Sequence, residues 1–367
     1  MRTARLRRRR TITLVIIAAV VLGMAIFFMV RYTMTSNIPS TAQFMDNYMR
    51  NANGTISSYL QPETSTDPNV VAGREALSES VGLWMQYNLL QDNETSFDET
   101  YKLLTTYFIS PQHYIRWKLE EDGTSRVNTY ALGDDLRIVG ALLDAYERWK
   151  QPQYLDTAKI ITDTLWQDGL NNGYLVDYHD FQHDTSADQL SLTYIDTVAL
   201  EQMQKYGLAT AAQVDKHLQL LRQIPNDGLF YPRLYDVTKG TYKYDQEVNL
   251  IDQLIIGLHL TELKQPPKAL VNFMKQQFQQ DGKLYGRYHA ADHTRAVNYE
   301  SPAVYGLAIL LALQMDDREW AEQLYTRMIA FRTAEGPYAG GYVSDGNTHA
   351  FDDLQALLAE TSLQHTR

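Results

Sequence analysis

A helical theme that returns about every fifty residues constrains this 367-residue chain more than any other feature. From Ala76 onward, apolar helical stretches begin near Ser78, Asp134, Thr193, Asp245, Tyr299 and Phe351, at intervals of 52 to 59 residues. Each of the first five is followed by a second helical stretch, near residues 97–109, 153–166, 209–224, 267–278 and 318–331. Asp-Gly or Asn-Gly pairs punctuate the series at Asp122-Gly123, Asn172-Gly173, Asp227-Gly228 and Asp281-Gly282. A period of this size signals a repeated helix pair.

The two helix types differ in pattern. Val248, Leu250, Ile251, Leu254, Ile255, Ile256, Leu258 and Leu260 leave no polar face, and the run from Val304 to Leu313 is similar. Such helices are buried on most sides. The second type carries one stripe, as in Leu155, Ala158, Ile161 and Leu165. Buried helices alternating with half-exposed ones predict two concentric rings, an all-α (α/α)6 toroid. The last helix, 351–363, would pair with one near Thr41. A solenoid of the same period is the alternative.

Charge divides the chain. Residues 1–31 hold seven Arg and no acid, leaving 26 basic residues against 44 acids in the remainder. Thr11 to Val30 is a twenty-residue stretch without a charge, long enough at ~1.5 Å per residue to cross a ~30 Å hydrocarbon layer. Six Arg before it and one after predict a cytoplasmic N-terminus and an external C-terminal domain. The expected organisation is a basic tail at 1–10, a transmembrane signal anchor at 11–30, an extracellular stem and first helix at 31–75, and a toroid at 76–367. A cleaved signal peptide would leave the same external domain. The chain has no Cys, which excludes a disulfide scaffold, a thiol nucleophile, a Cys-ligated metal and a lipoprotein anchor, and fits a bacterial surface. The acidic domain argues against nucleic acid.

The loops that lead into the apolar helices are rich in Tyr: 174, 178, 231, 235, 242, 244, 285, 288, 338 and 342. In a toroid they would share one mouth, where aromatic faces can stack on sugar rings or simply cap the barrel. Acids recur at the same mouth: Glu79, Asp134, Asp135, Asp196, Asp245, Glu247 and Glu300. Taken singly, each reads as a helix cap. Together they supply what glycosidic cleavage needs, one carboxylic acid to protonate the leaving oxygen and one carboxylate to activate water.

Two segments resemble glycoside hydrolase family eight, bacterial endoglucanases, lichenases, chitosanases and xylan-acting enzymes, over Ala72 to Leu363. Ser78-Glu79-Ser80-Val81-Gly82 is similar to that family's Ser-Glu-Gly-x-Gly segment, with Ser80 in place of Gly. Ala131-Leu132-Gly133-Asp134-Asp135, with Ala141 to Ala145 and Trp149 after it, is similar to the Ala-Ser/Thr-Asp-Ala/Gly-Asp signature, with Gly133 at its first Asp and Asp135 at its second. The resemblance implies an (α/α)6 barrel, an inverting mechanism, no cofactor and no metal. It implies Glu79 as general acid and, through Tyr244-Asp245, Asp245 as general base, with Asp252 or Asp196 as substitutes. Asp134, Asp135, Tyr194, Asp196, Tyr244, Tyr288 and Glu300 are the expected sugar-binding residues. The expected partners are a β-linked polysaccharide, the membrane and an exopolysaccharide synthesis or export machinery. A catalytically silent binding or assembly protein and a polysaccharide lyase are the competing readings. His179/His183 and His289/His293 show His-x3-His spacing but lie in loops. They read as surface or sugar-binding groups before they read as zinc ligands.

Overall fold

The computed structural model describes residues 40–225 and 228–365. The basic tail and the transmembrane anchor expected at 1–30 lie outside the described residues. No helix among the described residues is long and apolar enough to cross a membrane.

Twelve α-helices are described: α1 Thr41–Tyr48, α2 Ser78–Leu90, α3 Glu94–Leu103, α4 Leu132–Trp149, α5 Pro152–Asp168, α6 Thr197–Lys205, α7 Ala211–Arg222, α8 Leu250–Glu262, α9 Lys268–Asp281, α10 Pro302–Gln314, α11 Arg318–Met328 and α12 Ala350–His365. Even-numbered helices form the inner ring. Each touches the next, α2 to α4, α4 to α6, α6 to α8, α8 to α10 and α10 to α12, and α12 packs back on α2. That last contact closes the circle and separates a toroid from a solenoid. The outer helices run antiparallel on the outside, and α1 fills the sixth outer place against α12.

The inner helices assemble because their apolar residues have no solvent-facing alternative. In α10, Ala303, Val304, Tyr305, Ile309 and Leu311 are all buried. Two large cores, one around α2 to α7 and one around α8 to α12, are joined by a third that α1, α2 and α12 share through Phe44, Met45, Leu83, Trp84 and Leu357. Helix starts are fixed locally. Ser40 and Thr210 form capping boxes, and Pro152 and Pro302 occupy first-turn positions where a missing N–H is harmless.

Residues 49–75 are folded onto this frame. Lys118, 1% exposed, reaches the Glu75 carboxylate at 3.0 and 3.1 Å and the Val70 carbonyl at 2.8 Å. Ser58 accepts the Ala350 N–H at its carbonyl, which ties the segment to the start of α12.

Three inner helices begin later than the sequence pattern suggested. Leu192–Tyr194 forms a 3-10 turn before α6, and Glu247–Asn249 pairs as a strand with Arg287–His289 before α8. Asp245, Glu247 and Glu300 therefore stand in the loops ahead of α8 and α10, not in their first turns. These two- and three-residue pairings are too short to show a period-two pattern.

Candidate active site

The inner helix starts converge on one face, and Glu79 is on the first turn of α2 there. Asp134, on the first turn of α4, is its immediate neighbour. One Asp134 oxygen accepts the Ser78 hydroxyl at 2.7 Å and the other meets Arg137 at 3.3 Å. Asp134 is thus held between a Ser hydroxyl at the start of α2 and an Arg one turn along α4.

Enclosure raises the Glu79 pKa to about 8, with repulsion from Asp134 and Asp352 adding to it and Arg137 opposing it. Glu79 is half-buried by exposed area. A carboxyl of this kind is protonated at neutral pH and can donate. Burial raises Asp134 too, though Arg137 and the Ser78 hydroxyl hold it down.

Gly133 explains the departure from the family signature. A Cβ there would lie 2.4 Å from the Tyr194 ring. Tyr194 thus occupies the room a side chain would need, and burial first, then the charges of Asp134, Asp177 and Glu79, raise its hydroxyl's pKa. Asp177 is anchored by the Ser191 N–H and hydroxyl at 2.6 and 2.8 Å.

Asp352, on the first turn of α12, was not singled out in the sequence. It accepts the Ser301 hydroxyl at 2.5 Å and the Ala303 N–H at 3.1 Å. Its charge is felt by Glu79, His349 and Tyr59, so it belongs to the same mouth. In the sequence it looked like an ordinary first-turn acid, and the partner that fixes it comes from a loop fifty residues away.

A second group lies ahead of α8. Asp245 accepts Arg233 Nε at 2.8 Å. A surface hollow of about 540 Å³ is lined by Arg233, Asp245, Gln246, Glu247, Asn249, Asp252 and Arg287. Burial and Asp245 push the Asp252 pKa up, while Arg233 and Arg287 pull it down. Tyr244 is 47% exposed, as a residue that stacks on a ligand must be.

Other expected site residues are placed elsewhere. Tyr288 is fully buried in the core, its hydroxyl accepting the Tyr285 N–H at 3.1 Å. It has no surface to offer a sugar. Glu300 is consumed by the Tyr305 hydroxyl at 2.6 Å and by Arg327 at 2.9 and 2.5 Å. That carboxylate braces α10 against α11. Asp196 caps α6 by accepting the Ala199 N–H at 2.9 Å and lines the central bore. Asp135 is completely buried without a hydrogen-bond partner, and burial first, then Asp134, raises its pKa well above the ordinary range. It lies beneath the floor and offers a sugar no surface. The central bore, about 510 Å³, is lined by all six inner helices with a mixture of aliphatic and polar side chains. It is the hole of the ring, and Glu79 does not line it. His179 and His183 fall in a hairpin loop, and no group of three potential metal ligands occurs among the described residues.

No family model matches the chain. It is 37% identical over 290 residues, 78% of this chain and 79% of the relative, to the putative lipoprotein YdaJ of Bacillus subtilis. This chain has no Cys to carry a lipoprotein's lipid. Among solved structures it is similar to one described as a novel alpha-amylase from Clostridium perfringens, at TM-score 0.79 and 22% identity over 88% of this chain and 96% of that one. It is also similar to a GH8 xylanase from Teredinibacter turnerae, at TM-score 0.61 and 15% identity over 91% and 93%. The chain belongs to the family of the Bacillus subtilis putative lipoprotein YdaJ, and its (α/α)6 fold is that of glycoside hydrolase family 8.

Proposed function

We propose that the protein is a membrane-anchored, extracytoplasmic glycoside hydrolase that cleaves a β-linked polysaccharide, an exopolysaccharide, with inversion. The feature that supports this reading is the half-buried Glu79 beside Asp134, its pKa raised to about 8 by enclosure, on a fold shared with polysaccharide hydrolases. In this reading Glu79 gives its proton to the glycosidic oxygen as the bond from that oxygen to the anomeric carbon breaks. Water attacks the same carbon from the opposite face, and Asp245 takes the water's proton. An inverting pair would stand ~6.5–9.5 Å apart to admit that water. Asp134, Tyr194 and Tyr244 would bind the sugar on the two sides of the cut.

The test is to incubate the full-length chain in detergent with β-linked glucans, xylans and amino-sugar polymers. An α-glucan arm is included because one structural neighbour is described as an amylase. Reducing ends are counted and the product anomer is read by NMR. Inverted sugar from a β-linked polymer, lost in Glu79→Gln, supports the reading. Cleavage of the α-glucan alone overturns the linkage. Binding without any cleavage overturns the enzyme in favour of a silent binding protein, and unsaturated products would mean a lyase.

A further inference from the structure

The two faces of the toroid are built differently. Every connection from an inner helix to the next outer one is a tight turn: residues 91–93, 150–151, 206–210, 263–267 and 315–317. Each turn holds one left-handed residue, Asp92, Lys150, Gly207, Lys264 or Asp316, the economical way to reverse a helix. The return connections, 49–77, 104–131, 169–196, 223–249, 282–301 and 329–349, are long and all lie on the mouth face. They carry nineteen acids against twelve Lys and Arg. The turn face carries two Lys against three Asp.

The chain enters at the turn face. Helix α1 is an outer helix, so its first residue lies at the inner helices' C-terminal ends. Thr41 donates to Glu360, ten residues into α12, at 3.1 Å. Ala42 lines one hollow with the turn at Gln91, Asp92 and Asn93. Between Val30, the end of the uncharged stretch, and Ser40 there are ten peptide steps. Whatever its conformation, such a length reaches no more than ~35 Å. The inner helices, 13 to 18 residues in five of the six, add about 20–27 Å between the turn face and the mouth.

From this geometry we infer that the turn face docks toward the lipid bilayer and the mouth opens away from it. The inference rests on the reading of residues 11–30 as a membrane anchor and is independent of whether the mouth hydrolyses anything. Turning the mouth to the surface would require the tether to pass the whole thickness of the ring. It would also bring the acidic loops against lipid phosphates, where the turn face brings a nearly balanced set of charges. The substrate is then a polymer standing off the membrane, which enters from the outside.

Fluorescence transfer tests this directly, since a chain without Cys accepts single labels. Full-length protein is reconstituted into vesicles of zwitterionic and anionic phospholipid with a headgroup acceptor dye. Donors are placed through Lys268→Cys and Gln151→Cys, exposed on two sides of the turn face, and through Asp184→Cys, exposed at the mouth. Transfer several-fold stronger from both turn-face labels than from position 184 is the expected result. Equal transfer from the two faces, a reversed order, or one turn-face label as weak as the mouth label overturns the orientation. Protein that does not float with the vesicles overturns the inference at its anchor, while activity in the polymer assay is untouched by either outcome.

Discussion

Asp134 accepts the Ser78 hydroxyl at 2.7 Å, at the helix start that carries Glu79, and its charge adds to the enclosure that raises the Glu79 pKa. One residue thus braces the helix start of the proposed acid and tunes its carboxyl. The raised value, about 8, sets the pH limb. Because the protonated form is the active one, kcat/KM should fall as pH rises through about 8. Glu79→Gln should lower kcat by ~10²–10⁴-fold and abolish the limb. In Asp134→Asn a repelling charge is gone, the Glu79 pKa drops, and the limb moves to lower pH. A pH–rate profile of both variants checks the sign. A limb that stays in place in Asp134→Asn removes Asp134 from this role.

The Gly133–Tyr194 contact makes a second expectation. Gly133→Ala pushes a methyl into the Tyr194 ring and should cost ~1–3 kcal/mol, as overpacking does. Gly133→Asp, which restores the family residue, should be worse alone and substantially rescued by Tyr194→Ala. Urea melts of the two single variants and the double variant supply the cycle. Additive losses would mean the two side chains do not compete for the same space.

How much of this was legible in the sequence follows from the physics of each part. Helices α8 and α10 announce themselves, because a 13-residue helix with apolar residues on every side has only one kind of place to go. Ring closure was inferable from the count of such helices. Strand pairing at Glu247–Asn249 was not, since three residues carry no period. Glu79 was reached through motif and composition together. Tyr288 and Glu300 show the opposite case. Their residue types suited a sugar site, yet contacts that appear only in the folded chain, Arg327 on Glu300 and Phe273 packed on Tyr288, determine what they do. Asp352 was missed for the same reason: Ser301 and Ala303, which hold it, meet it only when α12 packs on α10, and Glu79 only when the ring closes.

The buried Lys118–Glu75 pair should hold residues 49–75 to the domain. Lys118 and Glu75 are 1% and 7% exposed. Breaking such a pair leaves a charge without compensation and costs ~3–5 kcal/mol. Arg126, 3.4 Å from Glu75, blunts this somewhat. Lys118→Met should therefore lose about 3 kcal/mol, and Lys118→Met with Glu75→Gln should recover at least half. Chemical denaturation decides it. A double variant no better than Lys118→Met would show that the charge is not what the lysine satisfies.

Asp353 supplies a stability test apart from activity. It is fully buried, accepts the Tyr342 N–H at 2.8 Å and the Thr348 hydroxyl at 2.7 Å, and burial raises its pKa to about 7. An acid with a higher pKa in the folded state holds its proton more tightly there than in the unfolded chain, whose value is near 4. Its contribution is complete below pH 4 and is lost as pH rises through about 7. Asparagine cannot ionise and keeps an acceptor for the Tyr342 N–H. The Tm of Asp353→Asn relative to the parent should therefore improve steadily between pH 4 and 7.5, by an amount on the order of a few kcal/mol at most. A constant difference across that range would mean that Asp353 is ionised in the folded protein at every pH tested, with its two donors outweighing its burial.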